Sequence, residues 1–110
     1  MQREIATELE LAVERLVVQF HPQRIILFGS QARGTADKHS DVDLLVIYPL
    51  DQYPGTRRNL MVAMTRALRG LNLACDVILL TPEEFERDRH IPGTVARPAA
   101  REGRILYEAA

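Results

Sequence analysis

The sequence predicts an α/β (α+β) fold, a small mixed β-sheet of three to four strands flanked by helices. Three observations carry that reading. Continuously apolar runs at Ile25-Ile26-Leu27-Phe28, Leu44-Leu45-Val46-Ile47 and Val77-Ile78-Leu79-Leu80 have the length of buried strands. Segments with apolar residues at helical spacing lie between and around them. A chain of 110 residues supports one hydrophobic core and leaves little room for a second, so residues 1–110 read as a single domain.

Each element has its own signal. Over residues 4–20, Ile5, Leu9, Val13, Leu16 and Phe20 recur at helical spacing, and His21-Pro22 ends that amphipathic helix. Residues 24–28 form the first strand, bounded by proline and glycine. Residues 29–40 read as a loop opening into at most a short helix. The second strand covers 41–48, too continuously apolar at its centre for a half-exposed edge. Residues 56–70 place Leu60, Met64, Ala67 and Leu68 on one helical face, with Gly70 as a stop. Residues 71–80 give a third strand. Thr81-Pro82-Glu83-Glu84 is a helix start, with threonine at the cap, proline in the first position and Glu84 placed to close a capping box. Between Gly93 and Tyr107 a short helix ends near Gly103 and a few extended residues follow; Pro98 interrupts the pattern.

Composition narrows the function classes. Fourteen basic and fifteen acidic residues give a net charge of −1, so neither direct DNA binding nor attraction to an anionic membrane is expected. No apolar run approaches a membrane span, and the N-terminus resembles no signal peptide. The lone cysteine, Cys75, excludes an internal disulfide and a cysteine-rich zinc site, and a reducing, cytoplasmic setting is expected. Charge is uneven along the chain. Glu4, Glu8, Glu10 and Glu14 make the first helix acidic, whereas residues 52–75 hold Arg57, Arg58, Arg66 and Arg69 and no acid. A pair of solvated helix faces is the plainer explanation. The arginine helix could instead meet nucleotide phosphates or an acidic partner, and the sequence leaves both open.

The chemistry concentrates in two segments, Gly29-Ser30-Gln31-Ala32-Arg33-Gly34 and Ser40-Asp41-Val42-Asp43-Leu44. Residues two apart on a strand share a face, so Asp41 and Asp43 project together and repel. Such a pair is most readily accepted with a cation between the carboxylates, and oxygen-only ligation suits Mg²⁺. A solvated strand start would explain the same two residues. Gly29 follows a buried strand, where a residue without Cβ lets backbone N–H groups approach an anion. Ser30 adds a hydroxyl, and Arg33 can grip phosphate in bidentate fashion. A turn glycine, a helix cap and a surface arginine are the plain alternatives. Asp76 sits inside an apolar run, where an ionised carboxylate needs a partner. With the third strand beside the second, three carboxylates converge, which suits two divalent ions about 3.5–4 Å apart at a phosphorus centre. A strand-end Asp76 paired with an arginine is the competing explanation. Cys75, next to Asp76, should face the opposite side of the strand and pack in the core.

Gly29-Ser30, ten intervening residues and Asp41-x-Asp43 resemble the signature of the polymerase-beta-like nucleotidyltransferase superfamily. The fuller string Gly-Ser-Gln-Ala-Arg-Gly…Ser-Asp-Val-Asp-Leu-Leu-Val resembles its minimal nucleotidyltransferase (MNT) branch. The motif spans residues 24–47, and the likeness extends loosely to Asp76, Glu102-Gly103 and Leu106-Tyr107. The resemblance implies a nucleotidyltransferase fold and transfer of a nucleoside monophosphate from an NTP, ATP above all, to an acceptor hydroxyl. It assigns Asp41, Asp43 and Asp76 as catalytic metal ligands for two Mg²⁺ ions, and Gly29, Ser30 and Arg33 to the β- and γ-phosphates. Many members of this branch are encoded beside a HEPN-domain protein and act as antitoxins, some by transferring AMP to a tyrosine of the HEPN ribonuclease toxin, so a HEPN partner, in a homo- or hetero-oligomer, is expected.

Two other readings stand beside that one. The chain could be a non-catalytic nucleotide-binding antitoxin acting by occlusion, or a small-molecule nucleotidyltransferase of the antibiotic-modifying kind. Three converging acids argue against the first, and the short chain, with no acceptor-binding extension unless it dimerises, against the second. That shortness also predicts a protein partner to supply the acceptor.

Overall fold

The structure, a computed structural model, describes residues 3–29 and 42–110. Helix α1 spans Arg3–Phe20 and buries Leu9, Ala12 and Leu16 along one face. It closes where His21 turns to a left-handed φ of 53° while its N–H still reaches Val17 O at 3.0 Å, and Pro22 follows. Strands β1 (Arg24–Phe28), β2 (Val42–Ile47), β3 (Cys75–Leu80) and β4 (Arg104–Glu108) form a sheet in the order β3-β2-β1-β4. β1 pairs antiparallel with β2 and with β4, whereas β3 runs parallel to β2. The sheet is mixed because β2 and β3 are joined by a crossover through helix α2, Arg57–Ala67. Helices α3 (Pro82–Asp88) and α4 (Ala96–Glu102) lie between β3 and β4 in the chain.

Two layers of side chains explain the apolar runs. One cluster joins α1 and α2 to Ile25, Leu27, Val42, Leu44, Val46, Val77 and Leu79. The other joins Ile26, Phe28, Leu45 and Ile47 to Phe85 of α3 and to Ala96 and Ala99 of α4. β1 and β2 are therefore covered on both faces, which is why they read as unbroken hydrophobic strings.

Three boundaries differ from the sequence expectation. β3 begins at Cys75, not at residue 71, because the preceding N–H groups are taken elsewhere: Leu71 donates to Leu68 O and Asn72 to the Glu8 carboxylate at 2.9 Å. α2 stops at Ala67, with Gly70 at φ +86° in the turn that follows. β2 is described from Val42, so Asp41 lies outside the described residues. The predicted Thr81 capping box forms, with Glu84 N–H to Thr81 Oγ1 at 3.1 Å and Thr81 N–H to Glu84 Oε1 at 2.9 Å. Pro98 does not break α4. It is the third residue of the helix, where a backbone N–H has no intrahelical acceptor to lose.

Candidate active site

The site begins with strand register. In the parallel β2–β3 pair Asp43 lies opposite Asp76, and Val42 N–H donates to Ala74 O at 2.8 Å, fixing that register at the end of the sheet. Neighbouring strands lie about 4.8 Å apart, so the two carboxylates leave the sheet side by side. Asp43 is half-buried and Asp76 is exposed. By strand alternation Asp43 shares its face with Leu45 and Ile47, and Asp76 shares it with Ile78 and Leu80, all packed toward α3 and α4. Cys75 points the other way and packs against the α1–α2 cluster, as expected.

Gly29 closes the third side. Phe28 lies opposite Asp43 in the antiparallel β1–β2 pair, so Gly29 is the first residue beyond the carboxylate. Its φ is +76°, and a Cβ built there would overlap Asp43 Oδ2. Glycine is thus required twice, for the backbone turn and for the space the carboxylate occupies.

The position of Asp76 depends on how firmly the crossover holds β3. Arg15 of α1 reaches across to donate to Ala67 O at 3.1 Å and Arg69 O at 2.7 Å, two carbonyls at the C-terminal end of α2 that the helix leaves without partners. At the other end of α2, Arg57 donates to Leu79 O at 3.0 Å and to Glu84 Oε2 at 2.7 Å. That bond to Arg57, helped by the Thr81 N–H and opposed by partial burial, pulls the Glu84 carboxyl from its usual 4.5 down to about 2. Arg57, read from sequence as part of a solvated or phosphate-facing row, is a tie between α2, β3 and α3. No local signal in the sequence distinguishes it from Arg58.

The structure brings Asp43, Asp76 and Gly29 together at one end of one sheet face. Ser30, Arg33 and Asp41 fall outside the described residues. Among the described residues no three His, Cys, Asp or Glu side chains gather as a metal site; Asp43 and Asp76 supply two of the three acids named from sequence. Their carboxylate oxygens are hard donors of the kind Mg²⁺ takes. The arginines of α2 do not join them. α2 packs on the face of the sheet opposite to the one that carries Asp43 and Asp76.

Comparison with known proteins identifies the family and the fold. Residues 7–106 match the family model of the nucleotidyltransferase domain. A protein of Methanocaldococcus jannaschii named as a putative protein adenylyltransferase is 31% identical over 86 residues, covering 77% of this chain and 78% of that one. A crystal structure of a putative nucleotidyltransferase from Sulfolobus solfataricus superposes with a TM-score of 0.65 at 21% identity, covering 94% of this chain and 80% of that one.

Proposed function

The chain belongs to the nucleotidyltransferase domain family, and from that premise we propose that it transfers AMP from ATP to a protein hydroxyl, a tyrosine of a HEPN ribonuclease toxin, and so acts as an antitoxin. The observation that carries the reading is the in-register pairing of Asp43 with Asp76 beside Gly29. A scaffold has no use for two carboxylates side by side, whereas phosphoryl transfer is mostly positioning and charge neutralisation. The adenylyltransferase name of the archaeal relative supports a protein acceptor.

In this reading Asp43 and Asp76, with Asp41, would hold Mg²⁺, which when bound would neutralise triphosphate charge and lower the cost of ionising the acceptor hydroxyl. Gly29 leaves room for the Asp43 carboxylate and would offer backbone to the phosphates, with Ser30 and Arg33 gripping the β- and γ-phosphates. The acceptor oxygen attacks the α-phosphorus in line, an oxygen–phosphorus bond forms, and the bond to pyrophosphate breaks. Asp76 favours loss of the acceptor proton. Pyrophosphate carries away the leaving electron pair.

The test is incorporation of label from α-labelled ATP into a co-expressed HEPN protein, with and without Mg²⁺. Label should appear only with the metal and disappear in an Asp43→Asn/Asp76→Asn double variant. Undiminished labelling by that variant would sink the site assignment. A tight complex with no label transferred would instead favour silencing by occlusion.

A further inference from the structure

Helix α1 reaches the backbone of the crossover with two side chains of opposite charge. Arg15 donates to Ala67 O and Arg69 O at the end of α2, and Glu8 accepts from Asn72 N–H at 2.9 Å in the turn that leads into β3. The two residues are seven positions apart, two helical turns, so they leave α1 on one face about 10 Å apart along its axis. Charge matches polarity at each contact. A guanidinium meets the carbonyl end of α2, and a carboxylate meets an N–H. Leu71 and Leu73 of the same turn pack half-buried against the α1–α2 cluster.

Satisfying a buried donor does not explain the Glu8 bond. Asn72 is exposed, and water would serve its N–H as well. The consequence of the bond is positional. Among the described residues β3 is an edge strand paired with β2 alone, and its first buried side chain is Val77, one residue beyond Asp76. Ala74 O and Leu80 O accept from Val42 and Tyr48 at the two ends of β2, so by alternation the Asp76 N–H also points to β2. Upstream of that ladder Glu8 holds Asn72, four residues before Asp76.

We propose that Glu8 is a positioning residue for the transfer reaction: with Arg15 it clamps the turn between α2 and β3, and so sets where the Asp76 carboxylate stands beside Asp43. The inference rests on the reading of Asp43 and Asp76 as the site. α1 packs on the sheet face opposite those carboxylates, so the effect of Glu8 on transfer passes through the start of β3.

Two measurements on the full chain test this, one of which needs no activity. In Glu8→Ala the Asp76 amide should exchange with solvent at least about tenfold faster, while the β1 amides keep their wild-type rates. Transfer of label should fall about tenfold, since a small misplacement of a reacting group is costly. Glu8→Gln keeps an oxygen acceptor and should stay within about threefold of wild type, and Glu14→Ala, exposed on the same helix, should match wild type. A double-mutant cycle separates positioning from general weakening. On an Asp76→Asn background Glu8→Ala should cost less than about a further twofold, because the residue it acts through is already gone. If Glu8→Ala does not fold, Glu8→Asp, whose carboxylate falls one methylene short, takes its place. Unchanged exchange at Asp76, or a full tenfold loss on the Asp76→Asn background, would overturn the proposal. A wild type that transfers no label would count against the functional reading, and exchange at Asp76 would still decide whether Glu8 holds the start of β3.

Discussion

Gly29→Ala tests whether the site depends on the close approach of β1 to the Asp43 carboxylate. Two costs add at this position. An L-residue at φ +76° is strained by about 1 kcal/mol. The new Cβ also overlaps Asp43 Oδ2, so the carboxylate or the backbone must move by on the order of 1 Å, adding about 1 kcal/mol. Gly70→Ala isolates the first cost, because Gly70 sits at φ +86° with nothing within 4 Å of the place an alanine methyl would take. For a domain of this length about 2 kcal/mol corresponds to roughly 8–10 °C in Tm, and about 1 kcal/mol to half that. Displacing a reacting group by that distance lowers turnover by about a hundredfold. Gly29→Ala should therefore lose about twice as much Tm as Gly70→Ala and nearly all AMP transfer, while Gly70→Ala transfers normally. Thermal melts and initial rates of label transfer measure both. Equal Tm losses, together with a Gly29→Ala rate within about threefold of wild type, would refute the crowding argument.

Asp76→Asn should reduce transfer by at least about a hundredfold yet change stability by no more than ~0.5 kcal/mol, since the side chain is exposed and the change removes a repulsion; rates and urea midpoints on one preparation separate the two. Stability should depend on pH through Glu84. Its carboxyl is held at about 2 against 4.5 when free, so the contribution is complete above 4.5 and fades as pH falls toward 2. Arg57 is 38% exposed, so that contribution is about 1 kcal/mol and not the full value of the shift. Urea midpoints of Glu84→Gln and wild type should converge across that window and diverge above it. Arg15→Met keeps the apolar stem but strips two carbonyls of their charged donor, and should cost about 1–2 kcal/mol in urea unfolding with no loss of α1 helicity.

What could be read from the sequence was whatever depends on short-range pattern. The helix over 4–20, the Thr81 cap and the doubly buried strands β1 and β2 each follow from spacing within a few residues. The facing of Asp43 by Asp76 was conditional on β3 lying beside β2, which no local pattern states. It required the parallel crossover, and the structure supplies it. The contacts that hold the crossover were not legible, because Arg15 to Ala67 O, Glu8 to Asn72 N and Arg57 to Glu84 join residues far apart in the chain. Arginine spacing along α2 gave no hint that Arg57 works inward while Arg58 faces out. The sequence around Gly29 points to backbone access to an anion; that its missing side chain also makes room for Asp43 follows from the register of β1 with β2.

The register of the two acids bears on why a small sheet tolerates them. Charges about 5 Å apart and open to water repel by about 1 kcal/mol. That is a noticeable fraction of the roughly 5–15 kcal/mol by which such domains are stable. Further along the same strands Leu44, Val46 and Leu79 are buried, and each contributes about 2 kcal/mol by leaving water. The fold thus confines the repulsion to the starts of β2 and β3, where Asp43 is half-buried and Asp76 exposed, and offsets it within a few residues. Asparagine at either position would keep the strand and remove the repulsion. Both positions are instead acidic, in register, on one face, and set against a glycine whose missing side chain leaves room for the carboxylate. Structural economy accounts for none of those features. Gathering negative oxygens where a cation and a phosphate can meet would account for all of them, and this is the physical ground of the site we propose.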